Sequence, residues 1–119
     1  MGHARGQQIG SSRRSFSAEV RATELDSGRE TWGQTVSLSK AGCYVRTRQP
    51  FCQGALLAIE IRNHGTRFLT DAIVVYTLES NGMYLSFVNV PANELPILDH
   101  WLSSAGGERP TDASEEAKL

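Results

Sequence analysis

Apolar residues recur at every second position through most of the middle of the chain, which marks strands with one buried face. Over residues 16–25, Phe16, Ala18, Val20 and Ala22 fall on one side. Asp26-Ser27-Gly28 is a turn signal, and a second strand starts near Thr31. Residues 35–39 and 43–47 read as two short strands interrupted by Lys40-Ala41-Gly42, with Gly42 supplying the backbone freedom of a tight bend. Gln49-Pro50 ends pairing there, because proline has no N–H to give to a ladder. Over 55–62, Leu57, Ile59 and Ile61 face one way, Glu60 and Arg62 the other. Asn63-His64-Gly65 is a turn. The longest β run follows at 67–79, where Ile73-Val74-Val75 is apolar on both faces and predicts a covered stretch. Ser80-Asn81-Gly82 is the strongest hairpin signal, and Met83, Leu85 and Phe87 return on one face.

The period then lengthens. Leu95, Leu98 and Leu102 stand at i, i+3 and i+7, with Ile97 and Trp101 alongside. Asn93 fits an N-cap and Pro96 a first helical turn. The pattern predicts one amphipathic helix over 93–102, packed by Leu95, Leu98 and Trp101. About six short strands before it predict an all-β fold, an antiparallel barrel over 16–90 whose helix covers an end or an edge.

A chain of 119 residues has room for one such core. Residues 1–12 read as a flexible polar leader, 13–102 as the folded domain and 103–119 as a disordered polar tail. The net charge of -1 supplies no global field for a nucleic-acid polymer or an anionic membrane. With no apolar run of spanning length and no secretory pattern at residues 1–12, the expected location is cytoplasmic. Cys43 reads as a small core residue and Cys52 as a loop thiol. Their spacing fits neither a disulfide framework nor a metal site, and His3, His64 and His100 are scattered.

Chemistry of the enzymatic kind finds no foothold. The sequence carries no HExxH, no P-loop and no GxGxxG, and Asp71 and Glu79 read as carboxylates on a solvated strand face. The expectation is a non-catalytic module with no metal and no cofactor. Two features are candidates for binding. Arg5, Arg13, Arg14 and Arg21 gather early in the chain with Glu19 as the only acid among them, and guanidinium forks grip phosphate and stack on bases. Ser37 and Ser39 share one strand face by alternation, so their hydroxyls, with the backbone at Gly42, offer hydrogen bonds to a base edge or a phosphate. A solvated basic leader and an ordinary bulge are the plain alternatives.

Taken in order, the arginine pair Arg13-Arg14, the run SLSKAGCYV, the strand with IVVY and the hairpin leading into GMYLSFVNV resemble the PilZ domain family from about residue 13 to 102. The resemblance implies a six-stranded antiparallel barrel with a C-terminal helix and a receptor for the bacterial second messenger cyclic di-GMP. The family's ligand motifs are RxxxR and [D/N]xSxxG. Arg14 matches the leading arginine and Arg13 the extra one before it, whereas Ala18 stands at the closing position. Ser39 and Gly42 match the second motif, and Ser37 replaces its leading Asp or Asn. The implied ligand-binding set is therefore Arg13, Arg14, Ser37, Ser39 and Gly42. The implied function is cyclic di-GMP binding, weakened by these departures, with relay of the signal to an unidentified partner protein. The alternative is an adaptor that has lost the nucleotide and acts through protein contacts alone.

Overall fold

The computed structural model of the protein describes residues 13–106, with side chains through Ser103. The expected leader at 1–12 and the tail beyond 106 lie outside the described residues. Seven strands are present: β1 (Arg14–Ser15), β2 (Glu19–Glu24), β3 (Glu30–Leu38), β4 (Gly42–Arg46), β5 (Leu56–Asn63), β6 (Thr66–Leu78) and β7 (Gly82–Val88). A 3₁₀ turn (Ala92–Glu94) then leads into helix α1 (Leu95–Gly106). All strand pairs are antiparallel, in the order β3-β2-β5-β6-β7-β4, and β4 pairs back onto β3. That last pairing closes a six-stranded barrel, as the sequence pattern predicts, and leaves no open edge around the ring. The extra strand, β1, lies on the C-terminal half of β3, with Arg14 opposite Leu38 and Ser15 opposite Ser37. Residues 16–18 continue along β3, since Phe16 N–H donates to the Val36 carbonyl at 3.1 Å and Thr35 N–H to that of Ala18 at 2.8 Å.

Alternation fills the interior as expected. Val20 and Ala22 on β2, Leu57, Ile59 and Ile61 on β5, Phe68, Ala72 and Val74 on β6 and Met83 and Leu85 on β7 are all buried. Cys43 is buried among them, and Cys52 is exposed. Helix α1 closes one end of the barrel. Buried Trp101 stacks on Phe16 at 5.3 Å and meets Phe68 edge-on at 6.1 Å, and Phe68 meets Phe87 at 5.4 Å. Burying a side chain such as Leu98 beside these rings contributes about 1.5–3 kcal/mol, so the helix is held by its apolar face. At the helix entrance the Glu94 carboxylate accepts the Leu69 N–H at 2.8 Å, which ties the 3₁₀ turn to β6.

Local features depart from the pattern in four places. Leu95 is 44% exposed, because the first turn is 3₁₀ and the α-helix starts only at Leu95, off the stripe that Leu98 and Trp101 bury. The helix also continues to Gly106, past the expected end at 102. Val75 is exposed rather than covered, because β6 bulges between Val74 and Tyr76. The β6–β7 hairpin turns one residue early: Asn81 N–H bonds to the Leu78 carbonyl and Ser80, not Asn81 or Gly82, takes the positive φ of 59°. By contrast, His64 (50°) and Gly65 (82°) both have positive φ between the paired residues Asn63 and Thr66, the two-residue turn that matches strand twist.

Gly42 is also reassigned. It sits inside β4 without positive φ, and its hydrogen is required because a Cβ there would collide with the Leu85 carbonyl oxygen on β7. Gly82 is in the same position against the Val45 carbonyl. Both lie on the β4–β7 seam. Gly42→Ala is therefore expected to lower the stability of the fold by about 1–3 kcal/mol, the range of overpacked cores. Urea denaturation measures it, and Gly28→Ala, where a Cβ meets open space but the φ of 76° is strained, is the milder comparison.

Candidate functional site

Two bulges organise the outer surface of the barrel near β1. On β3 the ladder shifts between Thr35 and Ser37. Thr35 is buried, and strict alternation would send Ser37 inward with it; the extra residue, Val36, reverses the phase, so that Leu38 points to the interior and Ser37, itself buried beneath its neighbours, points to the outer side of the sheet. On β6 the bulge at Val75 does the same for Tyr76. Residues paired across the ladder share a face, so one row crosses five strands: Ser15, Ser37, Tyr44, Tyr84 and Tyr76. Tyr76 and Tyr84 stack at 5.6 Å with 12° between their planes, and Tyr44 lies 6.4 Å from Tyr76. The Tyr44 hydroxyl donates to the Asn81 side-chain oxygen. Burial, helped by the neighbouring Tyr76 and opposed by Arg46, raises the Tyr44 pKa, so the phenol keeps its proton at neutral pH.

Arg13 comes to this row. Its guanidinium lies 5.1 Å from the centre of the Tyr84 ring, within cation–π range. Arg14 is exposed opposite Leu38 and, by alternation, points to the other side of β1. Ser37 is 9% exposed, between Ser15 and Tyr44. Ser39 stands just beyond the end of β3 and is buried. Its hydroxyl oxygen accepts the Ala41 and Gly42 N–H groups, both at 3.2 Å, and shapes the turn into β4. Ala18, at the closing position of the arginine motif, is buried in the core with its carbonyl bonded to Thr35. The structure thus brings Arg13, Ser37 and three tyrosines together, and places Ser39 in the turn behind them and Gly42 at the start of β4. The tyrosines were not singled out from the sequence. Tyr44 and Tyr84 lie on the outer phase of their strands, but Tyr76 reaches that face only through a bulge.

A second cluster lies across β2, β5 and β6. Glu60, 6% exposed, receives Arg21 at 2.7 Å, Arg62 at 3.0 Å and Arg67 at 3.6 Å. Burial alone would raise its pKa, but the Arg62 hydrogen bond and the three positive charges outweigh it and hold the carboxyl below its ordinary value. Burial pushes the Cys43 thiol up to about 12, so Cys43 is unreactive packing. Among the described residues no three His, Cys, Asp or Glu side chains gather as metal ligands, and no helix is long and apolar enough to cross a membrane.

Comparison with known proteins agrees with this architecture. The family model described as PilZ domain matches residues 7–104. The fold is similar to the Bacillus subtilis inhibitor of motility, MotI/DgrA, with a TM-score of 0.70 and 20% identity over 87% of this chain. The chain spans only 53% of that protein's length. It is similar to the PilZ domain of YcgR from Escherichia coli, solved with c-di-GMP, with a TM-score of 0.65, 18% identity and coverage of 82% of this chain and 91% of that one. It is also similar to the PilZ domain of CeSA from a cellulose-synthesizing bacterium, with a TM-score of 0.64 and 17% identity over 78% and 97% of the two chains. No curated protein matches the sequence.

Because the folded Glu60 carboxyl has a depressed pKa, the native state binds fewer protons there than the unfolded chain does. Its contribution to stability is fully present above the ordinary glutamate value of about 4.3 and is lost as pH falls through the folded value. Urea midpoints measured from neutral to acid pH are expected to fall more steeply for the natural protein than for Glu60→Gln. Parallel curves would mean that the arginine grip does not depend on the glutamate charge.

Proposed function

Since the chain belongs to the PilZ domain family, we propose that it is a regulatory module, not an enzyme, that responds to cyclic di-GMP through the Arg13–Ser37–tyrosine row. The observation that carries this reading is the Arg13 guanidinium over Tyr84, in one row with the motif residue Ser37. The ligand has two phosphates and two flat guanines. Arg13 offers a fork to a phosphate or a planar cation to a base, the Ser37 hydroxyl a hydrogen bond, and the Tyr76–Tyr84 stack a π surface. Ser39 and Gly42 support the turn that presents Ser37, and Arg14, on the far side of β1, serves the ligand less directly. The PilZ domain of YcgR carries c-di-GMP in its structure, which supports the same ligand class here. The cytoplasm is the compartment that suits this role, with the signal passed to a partner protein.

The seat is leaner than the family motifs describe. The closing arginine is a buried Ala18, and Ser37 has no carboxylate or amide. A hydrogen bond to a charged group contributes about 1.5–3 kcal/mol, so each missing contact weakens binding by about tenfold to over a hundredfold. The same two observations favour the second reading, an adaptor that works by protein contacts alone. Isothermal titration with cyclic di-GMP decides between them. Weak binding is expected, reduced about tenfold by Arg13→Ala and by Tyr84→Ala, reduced less by Arg14→Ala, and tightened about tenfold by Ser37→Asp. Ala18→Arg is not the variant to use, because it would force a guanidinium into the core. Silence from both the natural protein and Ser37→Asp at high ligand concentration would leave the adaptor.

A further inference from the structure

We propose that the outer face of β3, β2, β5 and β6, built on Trp32, Arg21, Arg62 and Arg67, is a docking site for an acidic segment of a partner protein. This goes beyond the nucleotide seat and does not depend on it. Two adjacent rows of the ladder define the face. One runs Trp32, Arg21, Glu60, Leu69; the next runs Arg46, Gln34, Glu19, Arg62, Arg67. Alternation puts all of these side chains on the outside of the barrel.

Charge names the partner. Within these two rows four arginines, Arg21, Arg46, Arg62 and Arg67, stand against two acids, Glu19 and Glu60, a local excess of +2 on a chain whose net charge is -1. Acids border it at Glu30 and Asp71 on the following row and at Glu94 beside Leu69, so the positive end is the row of Arg46, Arg62 and Arg67. Glu60 is nearly buried, with 7% of its side chain exposed, whereas Arg21, Arg62 and Arg67 keep 43%, 55% and 58%. One carboxylate therefore anchors the roots of three guanidiniums while their outer edges stay in solvent. Each guanidinium has five N–H donors, more than the two Glu60 oxygens shared among three of them can use. What remains is a pre-oriented set of forks suited to carboxylates. Arg62 and Arg67 also line a cleft of about 630 Å³ with Ser17, Gln34 and His64, wide enough for an incoming side chain.

Trp32 supplies the apolar anchor. It is 57% exposed in the middle of a strand, where a polar residue would serve the fold equally well, and the Arg21 guanidinium lies 5.7 Å from its ring. Tryptophan and arginine are among the residues enriched in the energetic centres of protein interfaces. A nucleic-acid polymer fits less well. Its evenly spaced phosphates would have to pass exposed Glu19 between Gln34 and Arg62, and a lone Trp32 gives no run of rings on which successive bases could stack.

Fluorescence anisotropy with three labelled probes tests the proposal on the full chain: a peptide of repeated Glu-Glu-Leu, its Lys-Lys-Leu counterpart, and a single-stranded oligouridylate. The acidic peptide is expected to bind, with an affinity that falls as salt is raised, and the lysine peptide to stay free. Arg67→Glu and Trp32→Ala should each weaken that binding about tenfold. Trp32 lies outside the core, so its variant keeps the fold even if charge reversal beside Glu60 does not, and circular dichroism checks both. Cyclic di-GMP titration of the two variants should match the natural protein. Loss of the nucleotide response in Trp32→Ala would show that the two faces are one site and would overturn the proposal. Equal peptide binding by both variants and the natural protein, absence of peptide binding, or tighter binding of the oligouridylate would also overturn it.

Discussion

Closure of the ring on β3 is the constraint from which the remaining geometry follows. That strand is paired along both edges, by β1 and β2 in succession on one and by β4 on the other. A six-stranded ring is narrow, and neighbouring backbones are forced close where β4 meets β7. Gly42 and Gly82 mark that seam, each facing a carbonyl across the ladder that leaves no room for a side chain. Glycine is required here by backbone proximity. The bulges at Val36 and Val75 flank the same region, one on β3 and one on β6, and add the local bend that tight closure demands.

Those bulges also create the functional surface. Each inserts one residue and reverses which face the following side chains occupy. Without the first, Ser37 would follow Thr35 into the core; without the second, Tyr76 would follow Val74. With both in place, a serine and three tyrosines line up on the outer side, and Arg13, just before β1, falls over Tyr84. The same irregularity that lets the barrel close therefore furnishes it with a polar and aromatic strip.

This explains what could and could not be read along the chain. Period two is a local property, and wherever the strands are regular it located the buried set: Val20, Ala22, Leu57, Ile59, Ile61 and Leu85 lie inside as their spacing indicates. The change to helical period found α1 and its buried pair, Leu98 and Trp101. A bulge has no comparable signature in one sequence, so the exposure of Val75 and the assembly of the tyrosine row were invisible. Ser37 and Ser39 illustrate the same limit. Their spacing puts them on one face only if the strand continues, but β3 stops at Leu38 and the Ser39 hydroxyl turns back onto the backbone of the turn. Alternation puts Glu60 only on the face opposite Leu57, Ile59 and Ile61, together with Arg62. Its near burial under three arginines is a long-range fact, set by β2 and β6 arriving on either side.

The two charged faces use arginine in different ways, and this keeps their roles separable. On the tyrosine row, Arg13 rests on a π surface, a contact of about 0.5–1 kcal/mol where exposed, so its guanidinium can be taken over by a stronger anion at little expense. Across β2, β5 and β6 the arginines are fixed at their inner edges by a nearly buried carboxylate, and removing one would leave Glu60 less compensated, a far costlier change. The first arrangement suits a small ligand that must displace what is already there. The second holds its donors in place for a partner that adds to them without rearranging the barrel. Trp32 and Ser37 lie on the same strand, about 13 Å apart at strand rise once the extra residue of the Val36 bulge is left out, far enough for a small nucleotide on one face to leave the other open. Residues 13–18 run beside both, with Arg13 over Tyr84 and Ser17 at the mouth of the arginine cleft, and β4 carries Tyr44 of one face and Arg46 of the other. Dependence of one face on the other has three routes: residues 13–18, β4 with Tyr44 and Arg46, and β3, whose pairing on both edges leaves it little freedom to move.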